Sequence, residues 1–253
     1  MSPRSDRQPD RSGNGAGAPA TRGLFVTATD TEIGKTVVAS AMAATLAARG
    51  ERVAVFKPVV TGLDEINGSP PDHELLRASA HSEQRLDEIA PYRFGPAVSP
   101  HLAAQLAGVT IDRTRLLDAA AHAADGADAL IAEGVGGLTV PLCDDYLVRD
   151  LARDLGFPVV IVARPELGTI NHTLLTLESA RAAGLEVAAV VLTKWPDEPS
   201  EMQLSNRDTI ASLGSVAVAT LGPVYTGPPI SPAGELPVDA WLRAPSASAL
   251  VLT

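Results

Sequence analysis

The sequence Gly34-Lys35-Thr36 contains the residue types that bind a polyphosphate in proteins. It lies between a predicted strand and a predicted helix, so that the helix N-terminus would face an anion. Lys35 would reach the β- and γ-phosphates of a nucleoside triphosphate, and the Thr36 hydroxyl would reach Mg²⁺. A chance occurrence at a helix start is the alternative, since Thr29 stands where the strict pattern has glycine. The predicted nucleotide contacts in this loop are Glu32, Ile33, Gly34, Lys35, Thr36 and Val37.

A second lysine, Lys57, directly follows the second predicted strand and begins the sequence Lys57-Pro58-Val59-Val60-Thr61-Gly62. Ligands of open parallel sheets bind outside the carboxyl ends of the strands. Lys57 is therefore predicted to point into the same crevice as the loop that ends at Thr36. A solvated loop lysine followed by a proline is the alternative.

A third segment, Ala129–Glu133, is an apolar run that ends in a carboxylate and precedes Gly134-Val135-Gly136-Gly137. Mg²⁺ prefers oxygen ligands, so Glu133 and Thr36 could bind the same ion. Glycines let the backbone approach a phosphate closely, which adds Gly134, Val135 and Gly136 to the predicted nucleotide contacts. An ordinary strand end with a glycine turn is the alternative.

Two polar residues stand where predicted helices begin. Asp72 begins one of them, and capping the helix is the commoner role of such an aspartate. Asn171 begins another with His172, and this helix N-terminus could bind a carboxylate, with a cap again as the alternative. The other four histidines show no metal-ligand spacing, and Cys143 has no evident partner for nucleophilic chemistry.

Segments with strand and helix character alternate along the chain. The predicted strands are Gly23–Thr27, Arg52–Phe56, Ala129–Glu133, Pro158–Ala163, Val187–Thr193 and Val216–Leu221. The predicted helices are Lys35–Arg49, Asp72–His81, Asp112–Ala124, Leu147–Leu155, Asn171–Ala183 and Glu198–Leu213. The strand runs are continuously apolar, as burial of both faces requires. The pattern predicts an α/β fold of the P-loop NTPase type, in which a mostly parallel sheet carries helices on both faces.

The two ends of the chain differ from the segment between them. Residues 1–22 are polar, show no hydrophobic period and are predicted to form a disordered tail. Residues 23–226 form the predicted nucleotide-binding domain. Residues 227–253 are predicted to be an extension packed on the same domain, with short structure around Val238–Leu242.

Charge and cysteine content exclude several classes of function. The formal net charge is −10, which disfavours binding to nucleic acid or to an anionic membrane surface. A single cysteine excludes a disulfide framework and a multi-cysteine zinc site. No apolar run is long enough to span a bilayer, and the N-terminus lacks the apolar segment of a signal peptide. We therefore expect a cytoplasmic protein.

Five motifs, in order along the chain, together resemble dethiobiotin synthetase. The family loop G-T-x-T-x-[VI]-G-K-T is similar to residues 28–36, with Ala28 in place of the first glycine. The family motifs K-P-[VI]-x-[ST]-G, S-P-H, E-G-[AV]-G-G and G-x-[IL]-N-H match Lys57–Gly62, Ser99–His101, Glu133–Gly137 and Gly168–His172. The resemblance covers about residues 23–226.

The resemblance implies an ATP-dependent ring closure in biotin biosynthesis. The substrates would be 7,8-diaminopelargonic acid, CO₂ and ATP, with Mg²⁺ as cofactor, and the products would be dethiobiotin, ADP and phosphate. Lys35 and Lys57 would be catalytic, and Thr61 and Asn171 would bind the substrate. Thr36, Asp72 and Glu133 would hold the metal. The family is dimeric, so a homodimer is expected.

One departure from the family lies after the predicted strand that begins at Val187. The family often has asparagine there to read adenine, whereas this chain has Thr193 followed by Lys194. These two residues are the predicted base contacts. A partitioning or targeting ATPase is an alternative function, but the loop lacks the early lysine of that class. A cobyrinate-type amide synthase is another, but it would need a further domain with a cysteine nucleophile.

Overall fold

The computed structural model describes residues 21–65, 70–223, 230 and 236–243. Its strands are β1 (Arg22–Ala28), β2 (Val53–Phe56), β3 (Val59–Val60), β4 (Tyr92–Arg93), β5 (Ala129–Glu133), β6 (Pro141–Cys143), β7 (Tyr146–Leu147), β8 (Val159–Ala163), β9 (Val187–Leu192) and β10 (Val218–Thr220). Its α-helices are α1 (Lys35–Ala47), α2 (Asp72–Ser79), α3 (Leu86–Ile89), α4 (Pro100–Ala107), α5 (Arg113–Ala124), α6 (Val148–Leu155), α7 (Thr169–Ala182), α8 (Glu201–Gly214) and α9 (Val238–Trp241).

The main sheet of the described residues has six strands in the order β10-β9-β8-β1-β5-β2. Every neighbouring pair in it is parallel. All residues of β5 and β8 are buried, because helices cover both faces of the sheet and leave no side open to water. β1 lies between β8 and β5, so the loop that follows it emerges at the centre of the sheet.

Helices cover the two faces of the sheet with two separate apolar clusters. One cluster joins the sheet to α4, α5, α6, α7 and α8. The other joins it to α1 and α2 and includes residues close to the C-terminus. The predicted α/β fold, with a mostly parallel sheet between two layers of helices, is confirmed.

Residues 236–243, near the C-terminus, pack against the amino end of the sheet. Leu236, Val238, Trp241 and Leu242 are buried in the cluster around α1. The amide of Gly23, at the start of β1, donates a hydrogen bond to the Arg243 carbonyl at 2.8 Å. The short helix α9 lies within the region where the sequence predicted short structure. The remainder of the predicted C-terminal extension lies mostly outside the described residues.

Several elements differ from those that the sequence predicted. The predicted tail lies outside the described residues except for Thr21 and Arg22, and Arg22 begins β1. The helix α4 was not predicted, although Ser99 at the N-cap position and Pro100 at the first helical position are typical start signals. The small sheets β3-β4 and β6-β7 were also missed, because two- or three-residue strands carry too few side chains to show a period.

No helix in the described part of the chain is long and apolar enough to cross a membrane.

Candidate functional site

The loop between β1 and α1 lies at the carboxyl end of the central strand. Gly34, the residue before α1, has φ of 96°, a left-handed conformation that costs glycine little. Glu32 has φ of 57° in the same loop. Gly34 has no side chain with which to cap α1, so it leaves the first N–H groups of the helix available to an anion. A left-handed glycine directly before a helix N-terminus suits the phosphate loop that the sequence predicts.

Four predicted side chains converge beside this loop. The Lys57 Nζ atom lies 2.5 Å from Glu133 Oε1 and 2.7 Å from Asp72 Oδ2. The Thr36 hydroxyl donates a hydrogen bond to the same Glu133 oxygen at 2.9 Å. Lys57 and Glu133 meet because β2 and β5 are neighbours, with Phe56 paired to Ala132. Asp72 is the first residue of α2, and Pro71 occupies the N-cap position, so Asp72 does not stand where the alternative role as an N-cap would place it.

The charged groups of this cluster shift each other's proton affinities. Burial lowers the pKa of Lys57, but Asp72 and Glu133 outweigh burial and raise it above the usual lysine value. Burial raises the pKa of Glu133, while Lys57 opposes the increase. Burial also acts to raise the pKa of Asp72, but Lys57 outweighs it and holds that pKa below the usual range. Burial and the neighbouring Lys57 lower the pKa of Lys35. Lys57 and Asp72 therefore stabilise each other in their charged forms.

The oxygen atoms of the cluster suit a hard cation. Glu133 is fully buried, and its Oε2 atom has no hydrogen-bond partner among the described residues. Nowhere in the described ranges do three His, Cys, Asp or Glu side chains form a candidate metal group. Two carboxylates and a hydroxyl are too few for a closed protein cage but suit Mg²⁺, which keeps several waters and binds substrate phosphates.

The glycines after Glu133 permit close packing around the loop. A side chain on Gly134 would come within 3.0 Å of Val148 and 3.1 Å of the Phe25 ring. A Cβ atom on Gly137 would lie 3.3 Å from the Ala28 carbonyl oxygen, next to the phosphate loop. Small residues are therefore needed where this segment passes the end of β1.

The predicted base contacts lie at the end of β9, beside the phosphate loop. Thr193 is buried, and its hydroxyl donates a hydrogen bond to the Ile33 carbonyl oxygen at 2.6 Å. Lys194 is exposed and has φ of 52°. The chain contains three lysines, Lys35, Lys57 and Lys194, and each follows a strand at this end of the sheet.

The predicted substrate contacts are not joined to the cluster. Thr61 lies in the turn after β3, and Asn171 is exposed in the first turn of α7. Within the described residues, no hydrogen bond or ion pair links either of them to Lys57, Glu133 or Asp72. The helix that contains Asn171 begins two residues earlier than predicted, at Thr169, with Gly168 at the N-cap position.

Sequence reasoning missed Arg164 as a contact of the phosphate loop. Arg164 follows β8 and pairs with Asp30 at 2.8 Å, while the Thr29 amide donates to the Val162 carbonyl at 3.0 Å. Its position could have predicted this contact, because Arg164 directly follows an apolar strand, as Lys57 does.

Comparisons with known proteins agree with the motifs. A family model described as an AAA domain matches residues 22–233. An ATP-dependent dethiobiotin synthetase of Bacillus subtilis strain 168 is 37% identical over 202 residues, which cover 80% of this chain and 87% of the relative. An enzyme of the same name from Anaeromyxobacter dehalogenans is 43% identical over 181 residues, covering 71% and 80%.

A solved structure of a ParA family ATPase from Chlorobium tepidum has a TM-score of 0.48 and 12% identity, covering 81% of this chain and 84% of that one. The two sequence relatives carry the name of the family whose motifs this chain resembles, rather than the name of either alternative class. The chain belongs to the dethiobiotin synthetase family and is an ATP-dependent ligase of biotin biosynthesis.

Proposed function

We propose that the chain converts diaminopelargonic acid, CO₂ and ATP into dethiobiotin, ADP and phosphate. The observation that carries the proposal is the position of the Lys57 ammonium, which lies beside Glu133 and next to the predicted phosphate loop. A buried cation there suits a reaction in which an anion attacks a phosphoryl group, because positioning and charge neutralisation dominate such transfers. The sequence relatives, which are named for this synthesis, support the choice of substrate.

The proposed chemistry has three steps. One amine of the substrate attacks CO₂, which forms a C–N bond and releases a proton to give a carbamate. A carbamate oxygen then attacks the γ-phosphorus of ATP, and the bond from this phosphorus to the ADP oxygen breaks. The second amine attacks the carbamate carbon and closes the cyclic urea as the bond from this carbon to the phosphate oxygen breaks. The amine loses a proton, and the released phosphate contains the former carbamate oxygen.

The residues of the cluster have distinct proposed roles. The loop N–H groups and Lys35 bind and neutralise the phosphates. Lys57 stabilises the carbamate and the mixed anhydride, since its raised pKa keeps it an ammonium. Thr61 contacts the substrate chain. The backbone around Gly134 approaches the phosphates because glycine leaves room for them.

Mg²⁺ is the proposed cofactor, held by Thr36, Asp72 and Glu133. The buried, unpartnered Glu133 Oε2 atom supports this assignment, because such an oxygen is costly unless it acquires a ligand. When bound, Mg²⁺ would neutralise negative charge on the phosphates of ATP. Lys57 contacts both proposed metal-binding carboxylates, so it orients them before the ion arrives.

The proposed assembly is a homodimer in which Asn171 and the N-terminus of α7 bind the substrate carboxylate of the partner subunit. Two large apolar residues, four positions before and four positions after Asn171 in the sequence, are exposed, with Leu167 at 86% and Leu175 at 56%. A dimer contact at this end of α7 would cover such side chains. The absence of a described link between Asn171 and the cluster within the subunit agrees with this arrangement. The proposed location of the enzyme is the cytoplasm.

Transfer of heavy oxygen tests the reaction. Freshly prepared bicarbonate labelled with heavy oxygen is mixed with ATP, Mg²⁺ and diaminopelargonate, and mass spectrometry follows dethiobiotin and phosphate. We expect one labelled oxygen in each phosphate formed together with dethiobiotin. ATP hydrolysis that is independent of diaminopelargonate and gives unlabelled phosphate would instead support a nucleotide switch. Omission of Mg²⁺ is the metal control.

Subunit complementation tests the dimer. Lys57→Met and Asn171→Ala subunits are each purified, shown to be inactive, then unfolded, mixed and refolded together. If one site uses residues of both subunits, about a quarter of the wild-type rate returns, because half of the dimers are mixed and contain one intact site. No recovery in mixtures that sediment as dimers would contradict a shared site.

A further inference from the structure

Thr193 holds the phosphate loop through a buried hydrogen bond. The residue is 3% exposed, and its hydroxyl lies 2.6 Å from the Ile33 carbonyl oxygen. The Ala163 carbonyl is a more distant acceptor at 3.4 Å. Because a threonine hydroxyl has one proton, that proton is committed to the loop and is not free to donate to a nucleobase.

The bond to Ile33 also determines the direction of the Gly34 amide. In a planar trans peptide the C=O and N–H groups point in opposite directions. Gly34 has φ of 96°, and glycine can rotate between several backbone conformations at little cost. By holding the Ile33 oxygen, Thr193 prevents this rotation and keeps the Gly34 N–H on the side away from itself. A flipped peptide would instead turn a carbonyl oxygen towards the bound anion.

Thr193 also occupies the space behind Gly34. A Cβ atom on Gly34 would lie 3.4 Å from the Thr193 methyl carbon. Thr193 is itself anchored, because its amide donates a hydrogen bond to the Ala163 carbonyl at 2.9 Å. The contact therefore joins the loop to the carboxyl ends of β8 and β9 in the main sheet.

A second side-chain attachment of the loop, among the described residues, is more exposed. In the ion pair between Arg164 and Asp30, the side chains are 44% and 48% exposed, and such pairs contribute little. This ion pair also lies at the start of the loop, whereas Thr193 contacts the end of the loop that contains Gly34. Thr193 is thus the buried attachment next to the amide that would meet the phosphates.

We propose that Thr193 is a positioning residue that aims the Gly34 N–H at the phosphates of the nucleotide, independently of the base. The inference rests on the proposed function, in which this loop binds ATP. It implies that the hydroxyl acts equally on every ligand with a polyphosphate chain. A residue that reads the base would act only on ligands that contain a base.

Inorganic tripolyphosphate separates the two roles because it has no base. Calorimetric titration with Mg²⁺ would compare ATP, CTP and tripolyphosphate binding to the wild type, Thr193→Val and Thr193→Ser. Valine keeps the shape of threonine but removes the donor and leaves a buried carbonyl unpaired. We expect affinities for all three ligands to fall about tenfold in Thr193→Val. Serine, which retains the hydroxyl, should bind them within about twofold of the wild type.

Thr176→Val is the matched control, because the Thr176 hydroxyl also donates to a backbone carbonyl, that of His172, on α7. This variant should bind all three ligands as the wild type does. The melting temperatures of all variants would be measured in parallel, since a purely structural role would lower stability in Thr193→Val without changing any affinity.

Two results would overturn the inference and leave the proposed ATP site in place. Weaker binding of ATP or CTP with unchanged tripolyphosphate binding would make Thr193 a base contact. A lower melting temperature with unchanged affinities would make its role purely structural. A wild-type protein that binds none of the three ligands would instead refute the proposed ATP site and the inference with it.

Discussion

The two ends of the main sheet bury different kinds of side chain, ionisable at the carboxyl end and apolar at the amino end. At the carboxyl end, the ionisable side chains of Lys57 and Glu133 are buried in contact with each other beside the phosphate loop. At the amino end, Trp241 and Leu242 cover apolar residues, and Arg243 pairs with Gly23. Burying charges is costly even when they are paired, whereas burying apolar surface stabilises a fold. The carboxyl end of the sheet therefore carries the groups proposed for chemistry, whereas the amino end carries apolar contacts that stabilise the fold.

Replacing charges at opposite ends of β2 should give the largest contrast in activity. Lys57→Met should lower kcat about a hundredfold to a thousandfold, because a cation next to a developing anion is lost. Its matched control is Arg52→Met, which removes an exposed cation at the amino end of the same strand, where Arg52 pairs with Asp128 at 2.9 Å. Steady-state kinetics and calorimetric ATP binding would be measured for both variants.

Arg52→Met should retain the wild-type kcat, and Lys57→Met should still bind ATP. Near-normal turnover by Lys57→Met would remove Lys57 from the reaction. An equal loss of kcat in both variants would mean that the two ends of the sheet do not differ in function.

Truncation of Trp241 should lower the stability of the protein and leave its activity unchanged. Trp241 is 5% exposed in the cluster that covers the amino end. Trp241→Ala should lower the free energy of unfolding by about 3–5 kcal/mol, since it leaves a cavity. Urea unfolding measures this loss, and kcat/KM per folded molecule at low temperature should stay at the wild-type value. A specific loss of kcat in a variant of unchanged stability would show that the amino end also serves catalysis.

The proposed nucleotide site at the carboxyl end of the sheet should discriminate weakly between the bases of different nucleotides. The asparagine that would read adenine is absent, and the Thr193 hydroxyl donates to the loop instead. Buried hydrogen bonds to a base give strong discrimination only when a mismatched base leaves them unpaired. CTP or GTP should therefore support turnover within about tenfold of ATP, or about 1.4 kcal/mol. Values of kcat/KM for the four nucleotides check this, and a thousandfold preference for ATP would place base recognition in backbone groups.

Removal of residues 1–20 should have the smallest effect. Thr21 already contacts the body of the protein, since its hydroxyl donates to the Ala124 carbonyl at 3.1 Å. The preceding residues have no apolar period with which to dock on either end of the sheet. A chain that begins at Thr21 should have an unchanged melting temperature and kcat/KM. A loss of solubility or of activity would assign the N-terminal residues a role.

Much of the candidate site could be read from short stretches of sequence. Gly34, Lys35 and Thr36 specify a loop and helix start whose chemistry is local, and Glu133 was identified because it ends an apolar run. The roles of Asp72 and Thr193 could not be read in this way. A helix-starting aspartate is usually a cap, and only the approach of Lys57 shows that this one is an ion-pair partner.

Hydrophobic period and neighbouring residues were enough to predict the α/β alternation, the phosphate loop, and the site residues Lys57 and Glu133 at the ends of their strands. The strand order could not be predicted in this way, because it follows from burial between segments that are distant in the chain. That order pairs β5 with both β1 and β2. It thereby brings Lys57 within 2.5 Å of Glu133, which is 76 residues away in the sequence, and it sets Thr193 against the loop at Ile33.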